Sequence, residues 1–361
     1  ESLNYNMKAL KAVLITILAA SCIYAAEIKI GLILPLSGDN AALGQPQLNA
    51  VRLFENENAK GNFKHTYKII LEDDQLTPRL TAQAAQKLLN VDKVDGLVSL
   101  FCGAGNQLKP FVAQKKVPHI NVICSDDNVP DGQWTFEHWP RIDKETSAFI
   151  DLLQKLNGKR IAILSMRQQG CLAVTQQAEK ELKTRGIPYI VEYFNPEERD
   201  FRTQLAKISE FKPDILVPMA FTPTMEIILK RNKELGLNYY VTTFECFDFV
   251  ADLSLAEGLY MVSGASATEE FNKRLIEASG VKAAYGVATI YDALNLLRIS
   301  YEAQETPNHA AAAAYLSQIK DIPSALGKIS VEIDGRIDSD IGFYQIKEGR
   351  PHPITFEEIE R

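Results

Sequence analysis

From residue 28 to residue 262 the chain alternates short apolar runs with longer amphipathic stretches. Residues 28–36 are almost uniformly apolar and read as a buried strand, closed by a Ser37-Gly38-Asp39-Asn40 turn. Residues 47–59 then carry Leu48, Val51, Leu53 and Phe54 on or near one face, the spacing of an amphipathic helix. A second strand over 68–74 runs into an acidic loop, and Thr77-Pro78 opens a helix over 79–90 with proline in its first turn. A third apolar run, 96–102, is followed by Gly103-Ala104-Gly105-Asn106, read as a loop. An amphipathic segment over 107–116 and a fourth run, 120–124, complete this set, the last ending in Ser125-Asp126-Asp127. Successive strands joined by helices predict parallel pairing through right-handed crossovers.

The rhythm breaks at 134–143, where Trp134, Phe136, His138 and Trp139 crowd together. These aromatics either line a ligand pocket or pack between two halves of the chain. The alternation then restarts, with strands at 160–165, 189–193, 213–218, 239–243 and 258–262 and helices between them. Helices follow at 269–279, 284–302 and 309–320, and residues 329–336 with 341–346 read as a hairpin around Asp334-Gly335. The pattern predicts an α/β protein built from two doubly wound parallel-sheet lobes. No low-complexity linker separates them, so several chain crossings hold them close. In such sheets ligands bind in the crevice at the carboxyl ends of the strands. Gly103 and Gly105 would let a ligand approach backbone N–H groups at a helix start, where an anion is favoured, or they simply serve a tight turn.

With 361 residues, two domains are expected. The formal charge of -7, with no basic block, argues against nucleic acid and anionic membrane surfaces as partners. Met7 to Lys11 form a short basic stretch, residues 12–20 an apolar one, and Ala25 ends a small-residue site, which reads as an export signal. Residues 1–26 are therefore set aside as an upstream extension and leader, and the mature chain is expected in the periplasm. Cys22 leaves a lipoprotein anchor open, although the first strand begins almost at once after it. The other cysteines are Cys102, Cys124, Cys171 and Cys246; no CxxC pair or histidine spacing suggests a metal site, and no cofactor is expected. Cys102 and Cys124 end neighbouring strands, so they either form a bridge or lie buried as thiols, and the pairing state of Cys171 and Cys246 is open. Gly103-x-Gly105 lacks the third glycine of a dinucleotide fingerprint, since position 108 is leucine. Neither a Walker-type Gly-Lys-Ser/Thr nor a Gly-x-Ser-x-Gly elbow occurs, so no enzymatic reaction is expected.

Several short segments resemble the type I periplasmic solute-binding proteins of ABC transporters, in the leucine/isoleucine/valine-binding branch. They are residues 28–38, Ala42-Leu43-Gly44, Glu72-Asp73-Asp74, Val117 to Ile120, Tyr285-Gly286 with Tyr291-Asp292-Ala293, and Leu326 to Ile329 with Asp334-Gly335. The resemblance covers nearly all of the mature chain. It implies lobes of about 27–143 plus 266–328 and 144–265 plus 329–361, joined by three crossover segments, the periplasmic binding protein-like I fold. It also implies a monomer that closes on a small amino acid-like ligand and delivers it to a membrane permease; a ligand-binding sensor for a separate receptor is the alternative. The family's carboxylate-binding hydroxyl falls on Cys102 or Gly103, where only a thiol and the backbone N–H groups through Ala104 could serve. The next contacts fall on Ile123 and Ser125, and the acid that grips the α-ammonium falls on Glu245. The aromatic positions of the second lobe fall on Gln169 and Phe221, and that after the first strand on Leu43. Asp126 and Asp127 either cap the following turn or face the cleft, where they would favour a cationic or amide ligand.

Overall fold

The computed structural model describes residues 25–237 and 239–360. The leader-like segment up to residue 24, Cys22 included, lies outside the described residues. Strands β1 (Glu27–Leu34), β2 (Thr66–Asp73), β3 (Gly96–Leu100), β4 (His119–Val122) and β5 (Thr135–His138) are all parallel, in the order β2-β1-β3-β4-β5. Helices cover both faces, so β3 is buried at every position and β1 at nearly every one. That burial explains why they read as continuous apolar runs. Each fully buried Leu, Ile or Phe in this core contributes about 1.5–3 kcal/mol relative to exposure.

The second half repeats the winding. Strands β6 (Ile161–Met166), β7 (Tyr189–Phe194), β8 (Ile215–Met219) and β9 (Tyr240–Val241) pair in parallel in the order β7-β6-β8-β9. β10 (Thr243–Phe244) and β11 (Tyr260–Gly264) carry the chain into a neighbouring sheet. β12 (Ile322–Ser324), β13 (Gly327–Val331) and β14 (Arg336–Asp338) return to the first sheet, where β14 pairs in parallel with β5. β15 (Ile341–Lys347) and β16 (Arg350–Ile354) extend the sheet of β11. Two separate hydrophobic cores result, one per half.

The chain crosses between the halves three times: after β5, after β11 and after β14. Two expectations change here. The Asp334-Gly335 turn does close a hairpin, but between β13 and β14; residues 341–346 pair with β11 instead. Residues 329–338 consequently sit in the first sheet, and the third crossing falls at Ser339-Asp340 rather than at 328/329. At the crossings, Trp139 packs against Tyr285 with ring centroids 5.5 Å apart. A Cβ on Gly264 would lie 2.6 Å from the Trp139 ring, so glycine there lets two crossing segments touch.

Candidate functional site

Each parallel sheet reverses its strand order once, between β1 and β3 in the first half and between β6 and β8 in the second. Loops at such a point diverge and leave a crevice. Here the two crevices face each other and enclose one small cavity of about 40 Å³. The first half supplies Phe101, Cys102, Ile123, Cys124 and Ser125, and the second Gln168, Gly170, Cys171, Phe221 and Glu245. The halves stand closed on it. The rings of Phe101 and Phe249 approach to 5.6 Å, and Gln169 Nε2 donates to Asp126 Oδ2 across the gap at 3.2 Å.

Backbone strain marks the mouths of β3 and β4. Phe101 takes φ 70° and Ile123 φ 59°, left-handed values costly for an aromatic and a β-branched residue. Phe101 turns the chain straight from β3 into the helix Phe101–Lys115. The expected loop at 103–106 is therefore the helix's first turn. Of its residues, Cys102 faces the cavity, Gly103 is exposed to solvent and Ala104 is buried away from the cavity lining.

Of the eight residues expected from sequence, the structure gathers Cys102, Ile123, Ser125, Phe221 and Glu245 around the cavity. Gly103, Ala104 and Gln169 are not among its lining residues; Gln168 and Gly170, either side of Gln169, take that place. None of Trp134, Phe136, His138 and Trp139 lines it, and Trp134, Phe136 and Trp139 belong to the core of the first half. Asp126 accepts from the Asn128 N–H and from Asn106, Asn128 and Gln169 side chains, and Asp127 pairs with Arg336 at 2.8 Å. Burial opposes ionisation of Asp126, but those donors hold its carboxyl below the ordinary range. Neither aspartate lines the cavity: Asp126 caps its own turn and bridges to Gln169 of the second half, and Asp127 pairs with Arg336.

Glu245 opens a short 3-10 helix directly after β10 and points into the cavity, where Tyr285 OH donates to its Oε2 at 2.8 Å. Burial pushes its pKa up to about 7, against the Tyr285 hydrogen bond. Two residues that sequence reasoning missed stand beside it. Glu145, fully buried, accepts from Ser125 Oγ at 2.6 Å, and burial plus the charge of Glu245 raise its carboxyl well above normal. Asp248 accepts from Ser263 at 2.9 Å and is raised to about 8, chiefly by burial. Glu145 gave no signal because its partner lies 20 residues upstream, and its first-turn position reads as ordinary helix capping.

A stability profile follows from these acids. With Glu137, raised to about 8 by burial, they hold protons more tightly folded than unfolded. Their contribution is full below the unfolded value near 4 and disappears as pH rises through the folded values. The ligand-free protein is expected to be less stable at pH 8.5 than at pH 5.5. Calorimetric melting at both values checks this; an equal or higher melting temperature at pH 8.5 contradicts it.

Cys102 and Cys124 form a disulfide across 22 residues, tying the ends of β3 and β4 at the cavity wall. Cys171 and Cys246 face them as buried free thiols, and their mutual hydrogen bond, then burial, push the Cys171 thiol well up. Replacing both Cys102 and Cys124 by serine is expected to destabilise the fold by about 2–4 kcal/mol. Urea unfolding with and without reductant measures it: wild type should lose that amount on reduction and the double variant nothing.

Among the described residues no helix is long and apolar enough to cross a membrane. Residues 27–351 match the sequence profile of the periplasmic binding proteins. The Leu/Ile/Val-binding protein of Escherichia coli K12 is 24% identical over 357 residues, spanning 92% of this chain and 94% of that protein. The leucine binding protein LivK of Thermotoga maritima superposes with a TM-score of 0.83 at 18% identity, covering 91% of this chain and 98% of that one. LivJ of Streptococcus pneumoniae, solved with isoleucine, gives 0.79 at 19% identity, covering 90% and 97%. Two facing doubly wound sheets, three crossings and this match over nearly the whole described chain lead to one conclusion: the chain belongs to the periplasmic binding protein family.

Proposed function

We propose that the protein captures a small amine-bearing solute, an amino acid or a related amine or amide, between its halves. It then presents the closed form to the permease of an ABC transporter outside the cytoplasm. It acts as a monomer and without chemistry on the solute. The observation that carries this reading is Glu245: an acid at a strand mouth, facing the cavity where both sheets reverse, and held by Tyr285 from the opposite half. An ammonium arriving there gains a charge-assisted hydrogen bond, and closure strengthens it by excluding water. Because the ligand touches both halves only when they meet, it shifts the population toward the closed state. The names of the relatives, which bind leucine, isoleucine or valine, support the solute class.

A thermal-shift screen over amino acids, amides, polyamines and aromatic acids tests the reading. A solute at a hundredfold its dissociation constant stabilises by about 2.7 kcal/mol. At least one amine-bearing solute should raise the melting temperature by several degrees and compact the protein in small-angle scattering. A screen in which none does so removes the proposal.

A further inference from the structure

The seat for an anion at this cavity is dismantled, while the seat for a cation is reinforced. No Lys, Arg or His lines the cavity. Ser125, the hydroxyl placed to donate, is engaged with Glu145 at 2.6 Å, and both groups are buried. Cys102 and Cys124 are bridged and carry no S–H. Tyr285 OH donates to Glu245. Gln168 uses its side-chain oxygen on the Cys171 N–H, the first turn of the helix Gln169–Thr184, leaving one neutral amide donor. The buried guanidinium nearest by contact, Arg336, donates to the Cys124 carbonyl and to Asp127 and does not line the cavity.

The acids set the opposite sign. Glu245 faces the cavity, and Asp248 lines an adjoining space with Phe101, Ile123, Phe249 and Tyr285. Glu145 stands behind Ser125, fully buried. The two helix starts at the cavity offer about half an elementary charge each. One of them is already capped by Gln168. Against them stands the carboxylate of Glu245, which an arriving ammonium holds ionised. A ligand carboxylate placed beside it meets like charge with no cationic side chain in the lining, which costs several kcal/mol.

We infer that this site takes a small aliphatic amine that lacks a carboxylate, not an amino acid. This rests on the solute-capture reading above and narrows its ligand class. The remaining lining residues, Leu43, Val174, Met219 and Phe221 among them, suit a short branched hydrocarbon.

Isothermal titration of the full mature chain at pH 7.5 tests it with three probes of one carbon skeleton: 3-methylbutylamine, leucine and 4-methylpentanoate. The expected order is the amine at least tenfold tighter than leucine, with no heat from the acid. Leucine binding as tightly as the amine, or tighter, shows that a carboxylate is held and overturns the inference while solute capture stands. Binding of the acid alone overturns it too. If no probe binds and the thermal screen finds only carboxylate-bearing solutes, the inference falls and the capture reading survives. If the screen finds no solute at all, both fall.

Discussion

Replacing Glu245 by alanine is expected to weaken binding of the cognate amine about thirtyfold or more. Among the described residues Glu245 is the one acidic group in the lining of the central cavity, so the ligand's ammonium meets it directly, whereas Glu145 and Asp248 lie behind or beside the lining. Removing one member of a buried, hydrogen-bonded charge pair costs about 2–5 kcal/mol, and 2 kcal/mol is already about thirtyfold in the dissociation constant. The loss should appear in the dissociation rate, since the group is met only after entry. Folding should not suffer. The wild-type carboxyl is raised to about 7 by burial, so at pH 7.5 its removal relieves an unfavourable buried charge. The expected signature is therefore a variant that melts no lower than wild type without ligand and shows little thermal shift with 3-methylbutylamine or leucine. Glu245→Gln keeps the shape and the acceptor for Tyr285 and should recover a small part of the affinity. Unchanged affinity in both variants by calorimetry would remove Glu245 from the site.

The alternation of apolar runs and amphipathic stretches made both doubly wound sheets legible, because strands buried on two faces leave an unbroken apolar signature. Glu245 came from the family resemblance, whose ammonium-gripping acid falls on it, and it follows directly on β10, at a strand mouth. What stayed hidden depends on contacts between distant residues. β5 is a central strand of the first sheet, yet it holds Glu137 and His138, whose charge reads as surface. Both are fully buried because Asn121, Asp292 and the Ile337 carbonyl meet them, and the last two lie 154 and 199 residues away from His138. Residues 103–106 read as a loop because of their two glycines, and Phe101 as the end of the apolar run; the left-handed residue that makes the turn is that phenylalanine, before the glycines. The Asp-Gly turn was visible in the sequence, but which strand it pairs with is decided by the edge that β5 leaves open. The engagement of Ser125, which narrows what the cavity can hold, depends on a glutamate from the other half.

Replacing Arg336 by methionine is expected to destabilise the protein by about 3 kcal/mol or more. Arg336 is fully buried on β14, the last strand before the third crossing. Its guanidinium donates to the Cys124 carbonyl at 3.0 Å and to Asp127 at 2.8 Å, and its charge lowers the otherwise raised carboxyl of Glu137. Methionine fills much of the volume, so the cavity cost is small and the polar cost decides. The Asp127 side chain is nearly half exposed, so water replaces much of what that pair contributes. The Cys124 carbonyl is buried and loses a donor outright, and above about pH 8, where Glu137 ionises, that buried carboxylate also loses its counter-charge, which is the expensive kind of break. Because Cys124 forms the cavity wall, the variant should also bind more weakly at temperatures where it is still folded. Pairing it with Glu137→Gln should cost less than the sum of the two changes, since the glutamine no longer needs the charge. Urea unfolding of the wild type, both single variants and the double variant measures this coupling. A loss below about 1 kcal/mol for Arg336→Met, or strict additivity in the cycle, would mean that the guanidinium merely fills space behind the disulfide.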